Sequence, residues 1–516
     1  MTRKLSSDYS MRGFRRQLAS IDAVPQFAVL GIISGALTGI VILAFRALIE
    51  LPLEQFVPDF EKFESFPSPV HLALPVAGGI ALAILFSWLK TDTTSLGVVH
   101  VLQRLARFQG YMPWRNTLGQ FFGGAIALAS GQSGGREGPA IHLGAASSSL
   151  LGQYLQLPNN SIRVLVGCGA AAAISASFHT PMAGVIFSME VILMEYTIAG
   201  FVPVILAAVT AAIINQAVYG RVAAFDVPPV AMNTFVDLPF LILQGVMMGC
   251  LAAVFVRTIQ TLYRIRPRSI WARMMVAGTC TGLVALFVPE VMGVGYDTVT
   301  QSLGGELPLM ILLAACAFKL LTSATAVAFG LPVGVIGPAL FIGATAGGIL
   351  GMIGAALYPE HASTPGFYVM LGMGAMMGAV LQAPLAALIA VMELTHNPNI
   401  ILPAMLVIII ANMTASQVFG LKSIFIMQME MMGLEFRTNP LSMALDRASV
   451  ASIMSRSFER VPRVLSINEA DNALKNNPLW LLVDGQGEDK RPAFILRTED
   501  LINHLNDNKD SEEVDL

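Results

Sequence analysis

The apolar runs Phe27 to Ala44, Ala73 to Leu89, Ile205 to Ile214, Phe240 to Val256 and Ile400 to Asn412 constrain this chain more than anything else in it. A helix needs roughly 20 apolar residues to cross the hydrocarbon core of a bilayer, and several of these segments reach that length. Others are shorter and broken by Gly or Pro, which predicts tilted or discontinuous helices. Only 13% of the 516 residues are charged, 55% are hydrophobic, and the mean hydropathy is +0.66. A soluble chain carries about 25% charged residues. With no water in the bilayer core, a spanning backbone must satisfy its own polar groups. The expected fold class is an all-α polytopic membrane protein.

Arg3, Lys4, Arg12, Arg15 and Arg16 precede the first apolar run, so the positive-inside rule places the N-terminal segment, residues 1–24, in the cytoplasm. No secretory cleavage pattern follows, and Met11 to Ile21 reads as a short amphipathic helix at the membrane surface. Cys168, Cys250, Cys280 and Cys316 all sit in apolar segments without paired spacing, and read as core residues rather than a disulfide or metal framework. From about Pro440 the composition becomes charged, and Trp480 to Gly485 reads as a strand entering a turn. This C-terminal segment, residues 436–516, is small for independent stability and is expected to pack on the membrane part or on a second subunit. Its acidic end, DNKDSEEVDL, is expected to be disordered.

The membrane part, residues 25–435, contains a duplication. Gly138-Pro-Ala-Ile-His-Leu-Gly-Ala145 reappears as Gly337-Pro-Ala-Leu-Phe-Ile-Gly-Ala344. Gly167-Cys-Gly-Ala170 answers Gly372-Met-Gly-Ala375, and Pro181 to Glu190 answers Pro384 to Glu393. Three blocks in one order, about 200 residues apart, divide the chain into halves of about 25–220 and 236–435. Internal repeats of this kind mark transporter folds whose substrate site lies where the halves meet.

Gly-Pro at a helix start combines a flexible entry with a proline that loses no donor. The first-turn N–H groups and the positive end of the helix dipole form an anion site without any cationic side chain. Two such starts, Gly135–Pro139 and Gly334–Pro338, would face one small anion from opposite halves. A competing pattern overlaps the first. Gly131-Gln132-Ser133-Gly134-Gly135 matches a G-x-S-x-G nucleophile elbow, with His179 or His142 as the base of an intramembrane serine hydrolase. Ser133 has no counterpart in the second copy and no strand precedes it, which favours the anion reading. No enzymatic reaction, cofactor or nucleic-acid partner is expected.

Gly135-Arg136-Glu137-Gly138-Pro139, together with Gly334-Val335-Ile336-Gly337-Pro338 and the repeated helices, resembles the CLC family of chloride channels and proton/chloride antiporters. The resemblance implies a homodimer in the bacterial inner (plasma) membrane, with both termini cytoplasmic. Each subunit would have its own anion path between two inverted halves. It implies that Glu137 is the gating glutamate, whose carboxylate competes with chloride and leaves the path when protonated. Ser452 to Arg456 and the strand after it resemble part of a CBS module.

Four positions depart from the family's pattern. The family's GSGIP loop falls on Ser95-Leu96-Gly97, with either Leu96 or Ser95 in the serine's place. Ile336 replaces the phenylalanine of GxFxP, which leaves the backbone donors intact. Phe425 stands where a tyrosine is frequent, and it offers no hydroxyl. Val191 occupies the inner proton-transfer glutamate position and carries no proton. Glu190 or Glu195 could substitute, although the recurrence of Glu190 as Glu393 points to a structural role. These residues, with Gly135, Arg136, Gly138, Gly334, Val335 and Gly337, make up the expected anion site. The coupling of chloride to protons stays open. Lys319 reads equally as a source of inner-vestibule potential or as a snorkelling side chain. His100 is placed to sense pH, and His142, exchangeable with Phe341, reads as packing.

Overall fold

The computed structural model describes residues 24–54, 62–90, 96–220, 225, 232, 234–357, 359–360, 362–434, 455, 457–484, 492–507 and 513–515. The predicted surface helix at Met11–Ile21 and Ser95 lie outside the described residues, as does Ser452–Arg456 apart from Ser455. The chain divides into two compact units, residues 1–447 and 448–516.

In the first half of the membrane unit, α1 is Val24–Glu54, α2 Ser68–Leu89, α3 Gly97–Arg107 and α4 Trp114–Ala129. It continues with α5 Glu137–Tyr154, α6 Asn159–Phe178, α7 Pro181–Phe187 extended by a wider turn over Ser188–Leu193, and α8 Ile198–Tyr219. The second half repeats this order. α9 is Leu238–Ile265, α10 Ile270–Ala285, α11 Tyr296–Gly304, α12 Leu309–Phe329, α13 Ile336–Leu357, α14 Pro365–Leu381, α15 Pro384–Thr395 and α16 Ile401–Met413. A last helix, α17, runs over Ile424–Met431. Eight helices in the described residues are long and apolar enough to cross a membrane. The others are shorter, as the Gly and Pro interruptions predict, and the unit is a multi-pass inverted repeat of partly discontinuous helices.

Lipid tails are as apolar as leucine, so helices in a membrane associate through close packing, and small residues set how close they come. A Cβ at Gly169 of α6 would collide with the carbonyl oxygen of Gly144 in α5, and one at Gly372 of α14 with that of Gly343 in α13. The same contact thus recurs in both halves, which is the structural content of the duplicated sequence blocks. The backbones of the two halves are bonded to each other at the starts of α5 and α13. There Gly135 N–H donates to Gly334 O at 2.9 Å and Gly334 N–H to Gly135 O at 2.7 Å, a two-bond antiparallel bridge.

In the C-terminal unit, β1 (Phe458–Val461) pairs in parallel with β3 (Trp480–Asp484), and β3 pairs antiparallel with β4 (Pro492–Arg497). Helices α18 (Ile467–Leu474) and α19 (Thr498–Asp507) accompany them, and Val461, Leu465, Leu481, Val483 and Leu501 form its core. Ser466 and Glu469 close a reciprocal capping box at the start of α18. The acidic end departs from its compositional expectation. Strand β5 (Glu513–Asp515) pairs antiparallel with β2 (Val464–Ser466), because the free backbone edge of β2 satisfies its N–H and C=O groups there.

A Cβ at Gly138 would lie 2.6 Å from the Gly334 Cα, which is backbone that cannot step aside. Gly138→Ala should therefore destabilise the membrane unit by about 1–3 kcal/mol. Thermal unfolding of the detergent-solubilised protein should show a lower Tm; an unchanged Tm would mean the helix starts are free to separate.

Candidate functional site

The repeated helix starts meet in the protein interior, with Glu137 as the first residue of α5. Its side chain is fully buried. Gly337 N–H, in the first turn of α13, donates to Glu137 Oε2 at 3.1 Å. The hydroxyl of Tyr296, the first residue of α11, donates to Glu137 Oε1. The carboxylate thus occupies the positive end of a helix contributed by the other half, where an exogenous anion would be stabilised by the same donor and dipole.

Arg136 lies against the ring of one of the carboxylate's two donors. Its guanidinium reaches Ser177 O at 3.3 Å, lies 4.0 Å from Glu50, and stacks 5.3 Å from the centre of the Tyr296 ring. Glu50 also pairs with Arg46 at 2.9 Å, so both arginines share one acid. In the turn Phe63–Ser65, burial, reinforced by Asp297 and Glu290, pushes the Glu64 carboxyl up to about 7.

On the other side of the bridge lies an open cavity. Leu96, Gly97, Gly138, Gly334, Ile336 and Phe425 line it, and Val335 lies beside them. Arg266, stacked 3.8 Å over the Tyr263 ring, supplies a cation to the same cavity. The structure therefore gathers Gly135, Arg136, Gly138, Gly334, Val335, Ile336, Gly337 and Phe425 around one crossing, with Leu96 and Gly97 on its rim.

Three details were not expected. The Gly97 N–H donates to Gln120 Oε1 at 2.8 Å and lies 3.1 Å from His142 Nδ1, so it is engaged inside the protein while the residue lines the cavity. His142, expected to pack, is a hydrogen-bonding residue: its Nε2 is 3.3 Å from His100 Nδ1 and its Nδ1 is 3.1 Å from Gln120 Oε1. Phe341, its counterpart, has no ring nitrogen to do this. Lys319 is fully buried and neither snorkels nor reaches the cavity. Its Nζ donates to Val291 O at 3.0 Å and Gly293 O at 2.9 Å.

Val191 is buried in the wide turn after α7. Its neighbour Glu190 accepts from Leu385 N–H at 3.3 Å and Ala386 N–H at 2.7 Å, at the start of α15. Glu393 returns the favour at the start of α7, accepting from Met182 N–H at 3.0 Å and Ala183 N–H at 2.7 Å. Each half caps a helix of the other. Ser133 sits among hydroxyls, 2.9 Å from Ser323 Oγ and 2.9 Å from Thr322 Oγ1, rather than beside an imidazole.

Tyr296 escaped sequence reasoning, yet a signal existed. The offset of 199 residues that carries Gly138 onto Gly337 also carries Gly97 onto Tyr296. The residue opening α11 is the repeat partner of the residue opening α3.

Truncating either cap strands two first-turn N–H groups. Glu393→Ala should cost about 1–2 kcal/mol, and Glu190→Ala a similar amount. Thermal unfolding checks both; a large loss from one variant and none from the other would contradict the reciprocal arrangement.

Comparison with known proteins agrees with this architecture. The family described as voltage-gated chloride channel matches residues 77–416. An H(+)/Cl(-) exchange transporter ClcA from Vibrio cholerae is 31% identical over 301 residues, covering 56% of this chain and 64% of that protein. The chain thus spans less than two thirds of the length of that relative. A protein described as ClcB-like from Ralstonia nicotianae is 30% identical over 360 residues, covering 68% of this chain and 83% of its own. Among solved structures, a slow cyanobacterial Cl-/H+ antiporter aligns over 78% of this chain and 97% of its own, with TM-score 0.70 and 22% identity. A eukaryotic CLC transporter aligns over 95% of this chain and 98% of its own, with TM-score 0.62 and 17% identity. This chain belongs to the CLC family of voltage-gated chloride channels and their transporter relatives.

Proposed function

We propose that this protein carries a small anion, chloride on the likeness to its relatives, through a path that ionised Glu137 closes and protonated Glu137 opens. The observation that carries this reading is the Glu137 carboxylate held by Gly337 N–H where the two repeated helix starts cross. A carboxylate in that position imitates the transported ion and excludes it. Protonation removes the charge that the helix end favours, and the side chain yields to chloride. Backbone donors at Gly138 and Val335–Gly337 then attend the ion, while Gly135 and Gly334, bonded to each other, hold the two helix starts together. Leu96 and Phe425 narrow the cavity side without donating to it, and Ser95 remains a candidate hydroxyl ligand. The ion is held loosely, as conduction requires.

Val191 and the capping role of Glu190 support a pathway without strict proton exchange. The second reading, proton/chloride antiport, has support in the relatives described as H(+)/Cl(-) exchange transporters. Two copies in a plasma membrane, with cytoplasmic termini, complete the proposal on the family likeness.

Purified protein in chloride-loaded liposomes separates the readings. The expected result is chloride efflux that rises as pH falls, without uphill proton movement, and Glu137→Gln should make that efflux indifferent to pH. Protons driven uphill by a chloride gradient would establish antiport instead. No anion flux from folded protein would overturn the transport reading.

A further inference from the structure

The carboxylate of Glu137 has two donors, and only one belongs to the repeated backbone. The other is the Tyr296 hydroxyl, which comes from a side chain and is built into place with some care. Gly295, with φ +82°, turns the chain into α11, and a Cβ there would lie 2.7 Å from the Phe341 ring. The start of α11 is thereby seated on α13, the helix whose own first turn supplies Gly337 N–H. The tyrosine ring is held by Phe178 and Phe225, at centroid distances of 6.0 and 5.3 Å, and by the Arg136 guanidinium. Like Glu137, Tyr296 is buried.

We propose that Tyr296 is the positioning residue that holds Glu137 ionised and in the anion path, so that this hydrogen bond sets the proton concentration at which the path opens. The proposal rests on the transport reading above. A hydroxyl donating to a carboxylate favours the charged form, since protonation weakens the acceptor. The guanidinium against the phenol ring strengthens that donation. At the cavity, the side chains of Phe425 and Leu96 carry no hydroxyl. At the repeat-related start of α11 a hydroxyl is present, and it meets the gate rather than the cavity.

Other charged groups surround this pair. Arg136 precedes Glu137, and Glu50 and Arg46 of α1 are linked to Arg136. His179, after α6, lies in the field of Arg46 and Arg136. Asp297 follows Tyr296 and interacts with Glu64 and with Lys319 of α12. The phenol alone is assigned the positioning role because its hydroxyl touches the carboxylate.

Tyr296→Phe removes one oxygen and keeps the ring contacts. In the liposome assay at symmetrical pH, the half-activation point of chloride flux should move to higher pH by about one to two units. In a Glu137→Gln background the same substitution should produce no pH shift. Site-specific 3-fluorotyrosine at position 296, a stronger donor, should move the point to lower pH. An unmoved half-activation point in active Tyr296→Phe protein would overturn the proposal. So would equal flux loss at every pH in both backgrounds, which indicates a structural role. Absence of flux in the parent would overturn the transport reading beneath it.

Discussion

Two hydrogen bonds between glycines, Gly135 with Gly334, hold the starts of α5 and α13 against each other. Irregular backbone at membrane depth is tolerable only when protein or an internal cavity satisfies it, and here each half satisfies the other. The consequence is geometric. With the bridge closed, the first N–H groups of both helices are concentrated at one crossing and have no helical acceptor of their own. An acceptor with negative charge is the natural partner, and the chain supplies one from Glu137. The close approach demands residues without side chains on both strands of the bridge. This is why the glycines are denser here than anywhere a simple spanning helix would need.

The duplication separates scaffold from function. Where the halves agree, the residues hold the frame: Gly144 and Gly343, Gly169 and Gly372, and the reciprocal caps Glu190 and Glu393. Where they differ, the chemistry is asymmetric. Under the same offset Glu137 answers Ile336, His142 answers Phe341, and Tyr296 answers Gly97. Titratable or hydrogen-bonding groups thus replace apolar or absent side chains at three matched positions near the crossing. One half brings the buried carboxylate of Glu137, and the other brings its donors, Gly337 N–H and the Tyr296 hydroxyl.

Much of this was legible in the sequence because it is written in short, repeated patterns. The apolar runs dictate a membrane bundle, the matched Gly-Pro starts mark where the two halves cross, and a lone glutamate between them stands out. What was not legible depends on contacts between distant segments. Gln120 gives no hint that it takes the Gly97 N–H from 23 residues away. His142, judged by its phenylalanine counterpart, conceals its bonds to His100 and Gln120. Lys319 reads equally as a snorkelling residue or a source of vestibule potential, and it is neither, because the carbonyls of Val291 and Gly293 come to it. Tyr296 opens a short polar helix, and only the repeat offset marks it. In the C-terminal unit, composition marks an acidic tail as unstructured, but a free strand edge recruits Glu513–Asp515 regardless of charge.

The central claim is that the Glu137 carboxylate stands where the transported anion binds. The most direct measurement is the anomalous diffraction of bromide in crystals of the Glu137→Gln variant and of the parent at neutral pH. The account predicts a bromide peak within hydrogen-bonding distance of Gly337 N and the Tyr296 hydroxyl in the variant, and none there in the parent. A variant that leaves this position empty while bromide binds elsewhere along the path would contradict it, as would bromide seated beside the intact carboxylate.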